Sequence, residues 1–147
     1  MSDWIQKKGI TSLISLSGIH AFDKDPEQPI IYGIAANEQS KSLLKKHDLK
    51  VIEDGITTGV TALILLNLKK TNINAISILG NVRIAADYQA AAEVLKKLSD
   101  ITKLDIDVKP LMIEAKQVER EIVENLKKFK TTKDSTEKFE EGTSMTA

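Results

Sequence analysis

The stretch EDGITTGVTALILL, from Glu53 to Leu66, decides how this chain is read. Two glycines stand just ahead of an apolar run, and such a turn either cradles a phosphate or only redirects the backbone. A nucleotide-binding P-loop needs G-x-x-x-x-G-K-[ST], with the lysine reaching the phosphates and the hydroxyl holding magnesium. Here Gly55 and Gly59 are too close together, and Val60 stands where the lysine would be. The dinucleotide fingerprint G-x-G-x-x-G is absent as well. Residual anion chemistry falls to Gly55, Thr57, Thr58 and Gly59, because free N–H groups at a helix N-terminus attract negative charge. The alternative needs no ligand: Gly55 turns the chain, Thr57 or Thr58 caps the helix, and Gly59 lets that helix approach a sheet closely. A cap satisfies the free amides by itself, so the structural reading is the one preferred.

Outward from the turn, Val60 to Leu68 is apolar nearly all round, which predicts a helix buried by neighbours on most sides. Upstream, Ile10 to Leu16 and Pro29 to Ala36 are short β-branched runs read as strands, joined by a polar loop. Their apolar residues fall on both parities, so both faces of the sheet are covered. A polar helix over Glu38 to Lys46 and a short strand over Lys50 to Glu53 lead into the turn. Downstream, Ile73 to Gly80 is a further buried strand.

From Asp87 the period changes: Tyr88, Ala91, Val94, Leu95 and Leu98 form a single helical stripe, with Glu93, Lys96 and Lys97 facing away. Leu111, Ala115, Val118, Ile122, Leu126 and Phe129 mark a second amphipathic helix. Its last apolar residues, Ile122, Leu126 and Phe129, carry the stripe to the end of the apolar chain and are read as a partner-binding surface. Residues 130–147 are Thr, Ser, Lys and Glu with few large apolar groups, the composition of a disordered tail. The alternation of strands and helices gives an α/β layered domain over 1–129, with a mostly parallel sheet flanked by helices, and a polar tail over 130–147.

At 147 residues the chain holds one core. Lys plus Arg and Asp plus Glu number 21 each, so there is no net field to hold nucleic acid or an anionic membrane. Cysteine is absent, which excludes a disulfide framework and a thiolate site. The longest strictly apolar run falls far short of the about 18 residues that a spanning helix needs. MSDWIQKKG lacks a signal-peptide core, so a cytoplasmic location is expected.

The other chemical candidates are weaker. His20, Asp23 and Asp25 share a polar loop without the spacing of a metal site. His47, beside Lys45 and Lys46, fits a helix C-terminus, where a cation complements the dipole. Glu114 and Glu119 lie about 140° apart on a helix and do not converge. The basic stretch from Asn125 to Lys133 is followed at once by acidic residues and reads as a solvated helix end. No catalytic residue, metal ligand or cofactor motif is assigned.

EDGITTGVTALILL, NAISILGNV, DYQAAAEVLKKLSDI and LMIEAKQVEREI resemble, in that order, the C-terminal part of the proteasome-assembly-chaperone family of archaea and eukaryotes. WIQKKGITSLISLSGI resembles the segment before it. The elements that carry the resemblance are Gly55 and Gly59, Asp87 with Ala90 to Ala92, and Glu114, Ala115 and Glu119, within about Trp4 to Leu126. It implies a fold similar to that of nucleoside phosphorylases, used to bind protein instead of substrate. It also implies self-assembly, with proteasome subunits or another assembly factor as partners. The family domain normally has further strands and a helix before the position of Met1, so an exposed sheet edge and a homo-oligomer are expected. Some members end in a hydrophobic-Tyr-any motif, whereas this sequence ends Met145-Thr146-Ala147, which argues against docking by the tail. The competing expectation is a small-ligand enzyme using the Gly55–Gly59 turn, since open α/β sheets bind ligands where strand ends meet helix starts. It requires titratable groups that face Thr57 and Thr58.

Overall fold

A computed structural model of the chain describes residues 2–20, 30–55, 57–83 and 87–144, with side chains over 3–20, 30–55, 57–83 and 87–129. The elements in order are α1 (Ser2–Lys7), β1 (Ser12–Ile19), β2 (Ile31–Ala35), α2 (Glu38–Lys46), β3 (Lys50–Val51), α3 (Gly59–Leu68), β4 (Asn74–Asn81), α4 (Tyr88–Thr102) and α5 (Lys109–Ser144). The four strands lie in the order β1-β4-β2-β3. β1 runs parallel to β4 from Ser12 opposite Asn74 to Ile19 opposite Asn81, and β3 runs parallel to β2. β2 is antiparallel to β4, with Ile31 opposite Gly80. The fold is therefore α/β with a mostly parallel sheet, as the alternation of elements requires.

Side-chain alternation on the central strands divides the core in two. Ala75, Ala36 and Ile34 point to one face and pack with Ile5 of α1 and Leu65 and Leu68 of α3. Ile76, Ile78 and Ile31 point to the other, against Leu44 of α2 and Val94 of α4. β4 is buried along nearly its whole length because helices lie on both of its faces.

β1 continues through Ser17 and Gly18, which the sequence reading placed in a loop, because its ladder with β4 holds them in the sheet. It forms one margin of the sheet and, among the described residues, pairs on one side only. The segment around Trp4 forms α1, a helix that its short length hid. α4 is more than a one-stripe helix: Ala90 and Ala92 are buried and Ala91 is exposed, because α4 lies between β4 and α5. Lys97 does not face away but donates from Nζ to the carbonyl of His47, 2.9 Å distant.

The C-terminal segment differs from its composition. α5 runs as helix to Ser144, through residues 130–144. A polar composition limits what a segment can bury, but extending a helix that is already nucleated needs no burial. We propose that the domain ends at residue 129 and that the polar residues 130–147 lie outside its core.

Candidate functional site

Thr58 is extended, with φ −129° and ψ 169°, and occupies the N-cap position of α3, yet its side chain makes no cap hydrogen bond. Gly59 has φ 83°, a conformation that strains any residue with a Cβ. A Cβ there would meet nothing within 4 Å, so Gly59 serves the backbone conformation and not a close approach to the sheet. Thr57, Thr58 and Gly59 are all exposed, and Glu53 and Asp54 precede them.

A polar pocket of about 650 Å³ lies beside the turn, lined by Asn37, Lys41, Glu53, Asp54 and Lys69 among others, but not by Thr57 or Thr58. Lys41 Nζ and Glu53 Oε1 close on each other at 2.8 Å. That hydrogen bond raises the Lys41 pKa and lowers that of Glu53. The two charges satisfy each other.

The carboxyl ends of β1 and β4, where an open α/β sheet takes ligands, border a second pocket of about 520 Å³. Leu16, Val82, Ala91, Leu95 and Leu111 make its lining apolar. Its carboxylate, Asp87, is already committed. One oxygen accepts from Ala90 N–H at 2.9 Å as the N-cap of α4, and the other accepts from Arg83 N–H at 3.0 Å. Burial pushes the Asp87 carboxyl up, but these N–H groups and the Arg83 guanidinium outweigh it and hold it below the ordinary carboxylate range. A group so saturated is a structural anchor, and the sequence marked it only by its place before an alanine-rich helix.

Among the remaining candidates, the two histidines are engaged by the backbone or at a helix cap. His20 Nδ1 lies 2.8 Å from the Val82 carbonyl, which can only accept, so this nitrogen carries the proton. Asp23 and Asp25 lie outside the described residues. His47 is the C-cap of α2, and the ammonium of Lys97 is the cation that meets its carbonyl. Glu114 and Glu119 are exposed on α5. Asn37, not singled out in the sequence, ties the core together: Oδ1 caps α2 through Ser40 N–H, and Nδ2 donates to the carbonyls of Thr71 and Ile73.

What stands open on the surface is apolar. α3 was expected to be buried on most sides, and it is not: Val60, Leu63 and Leu66 are 65%, 61% and 67% exposed. Leu65 and Leu68 face the sheet, and among the described residues no element covers the opposite side. On α5 the stripe is buried only near its start, at Ala115, with Leu111 and Val118 partly covered against α4. Further along, Ile122, Leu126 and Phe129 are exposed, Phe129 at 74%. This ordered set of strands, turn and helices matches the family model of the PAC2 family over residues 1–126.

The chain belongs to the PAC2 family. Similar solved structures agree on the fold. Pyrococcus furiosus PbaA, an archaeal homolog of proteasome-assembly chaperone, shares 24% identity at a TM-score of 0.77, over 93% of this chain and 58% of that one. Pyrococcus furiosus PbaB, an archaeal proteasome activator, shares 28% at a TM-score of 0.66, over 85% and 54%. A Mycobacterium tuberculosis proteasome-assembly chaperone homologue shares 18% at 0.65, over 83% and 52%. This PAC2 chain thus spans little more than half the length of these relatives. Among curated proteins none matches it. No described helix of the PAC2 chain is long and apolar enough to cross a membrane.

Proposed function

We propose that this PAC2 chain is a non-enzymatic protein-interaction scaffold of the proteasome-assembly-chaperone type, binding itself and proteasome-related partner proteins in the cytoplasm. The observation that carries the reading is the exposed apolar run of α5, Ile122, Leu126 and Phe129. An isolated exposed leucine needs no explanation, but several in helical register do. The relatives named for proteasome assembly or activation supply the partner class.

The competing reading, an anion or nucleotide site at Gly55, Thr57, Thr58 and Gly59, has the carboxylates of Glu53 and Asp54 against it. They precede the same amides and repel a phosphate. Lys41, the cation beside Glu53, is already paired with it.

The test mixes the purified chain with recombinant archaeal proteasome α-subunits and follows both by size-exclusion chromatography. Co-elution is expected for the wild type and loss of co-elution for Leu126→Glu/Phe129→Glu with unchanged circular dichroism. A magnesium- or zinc-dependent nucleotide turnover that vanishes in Thr57→Ala/Thr58→Ala, with no co-elution, would overturn the proposal in favour of the enzyme.

A further inference from the structure

We infer that β1 is the seam of a symmetric dimer, in which its open edge pairs antiparallel with β1 of a second copy of this chain and joins the two sheets into one. The inference deepens the self-binding part of the proposed function and rests on it. The ladder with β4 shows which backbone groups are left over. Asn74 N–H donates to the carbonyl of Thr11, and Val82 N–H to that of Ile19, each at 2.9 Å. In a parallel ladder a residue sends its N–H and C=O to one neighbour, and the next residue sends both the other way. The odd-numbered residues of β1 therefore bond to β4. Ser12, Ile14, Leu16 and Gly18 aim theirs away from it, and among the described residues no strand lies on that side.

The two edges of the sheet are unlike, and the contrast says what the open one takes. β3 ends the sheet on one side with two residues, one of them Lys50, and a very short edge that carries lysine resists pairing. β1 has eight residues with no charge and no proline, and its register with β4 runs without a bulge. It carries none of the sequence devices that blunt an edge. A copy that added its β3 edge to β1 would start an open chain of sheets, but that edge is the blunted one. Pairing β1 with β1 uses the same edge of both copies, closes on a two-fold axis, and leaves only the two β3 edges outside.

An axis at Ser15 engages all four outward residues of each copy. Ile14 then lies opposite the partner's Leu16, Ser12 opposite the partner's Gly18, and Ser15 opposite its own equivalent. No charge meets a charge along the seam. On the face toward α4, Ile14 and Leu16 of both copies come together beside the apolar pocket that Leu16 and Gly18 line, and Leu16, 43% exposed, leaves water. The seam is about 27 Å long and one strand wide, less than a standard interface spans, so the dimer is expected to be concentration-dependent.

Sedimentation velocity and cysteine cross-linking test the inference on the full chain. The wild type is expected to dimerise, and Leu16→Pro to dimerise at least about tenfold more weakly. Proline is tolerated where the N–H faces away from the ladder, so the pairing with β4 survives, which circular dichroism checks. The chain has no cysteine, so a single introduced thiol reports one contact. Across the axis the two Ser15 Cβ atoms stand about 5 Å apart, within reach of a disulfide, whereas the two Ser17 residues are about 13 Å apart along the strand. With an added thiol oxidant, Ser15→Cys is expected to form the covalent dimer at least about tenfold faster than Ser17→Cys. Ser17 is the more exposed of the two, so oxidation by random collision would favour the opposite order. Ser17→Cys cross-linking as fast as Ser15→Cys overturns the seam, whether or not Leu16→Pro folds. If the wild type assembles and only Leu126→Glu/Phe129→Glu dissociates it, the β1 seam is wrong while self-binding through α5 stands. A monomeric wild type at the highest concentration overturns the seam and the self-binding reading together.

Discussion

Gly80 and Asp87 show how single residues hold the helical layer against the sheet. A Cβ built on Gly80 would stand 2.9 Å from Val94 Cγ2 and 3.3 Å from the carbonyl oxygen of Ala90, so the alanine-rich face of α4 seats directly on β4. The side chain could yield, but the backbone carbonyl cannot without moving the helix. Gly80→Ala is expected to cost about 1–3 kcal/mol in urea denaturation, as overpacked cores do. Asp87→Ala removes the cap of α4 and the acceptor of the Arg83 backbone N–H, for an expected loss of about 1–2 kcal/mol at neutral pH. Its pH dependence has a definite sign. The folded pKa lies below the unfolded one, so the ionised carboxylate contributes stability above the ordinary aspartate value of about 3.9. That contribution fades as pH falls through this value to the lower folded pKa. Melting curves at pH 7 and pH 3 should therefore differ more for the wild type than for Asp87→Ala; equal differences would place the acid sensitivity elsewhere.

Among the elements, the two outer helices diverge most from an expectation based on periodicity. Hydropathy along Gly59–Leu68 reports that all sides are apolar, and burial on all sides is the usual consequence. The sheet covers one side of α3, with α1 beside it, and leaves Val60, Leu63 and Leu66 in water. In α5 the stripe is continuous in sequence, but α4 reaches only its first turns. Residues 130–144 are helical, yet the sequence from Lys130 offers few large apolar groups to bury. A chain ending at Phe129 is therefore expected to melt within about 2 °C of the full chain, a change well under 1 kcal/mol. A drop of several degrees would show that this stretch is docked on the domain.

For the whole molecule, the strands, the α2 boundaries, the start of α4 and the α/β class were legible in the amino-acid order. Each depends on a local cause: β-branched runs between polar breaks, a polar stretch of helix formers, a helical apolar spacing. The Gly55–Gly59 motif was legible as a turn that lacks P-loop chemistry, since that chemistry demands particular residues at particular spacings. The exposed character of Ile122, Leu126 and Phe129 followed from a stripe outrunning the domain. The tertiary structure alone decided that β2 runs antiparallel to β4, because strand direction depends on which edge a returning chain reaches and not on the residues within the strand. It alone decided that Asn37 binds Thr71 and Ile73 and that Lys97 reaches His47, both of them partnerships across the fold. And it alone turned the apolar helix after the glycines outward, because composition states how much surface a helix would bury while only the arrangement of neighbours states how much it can.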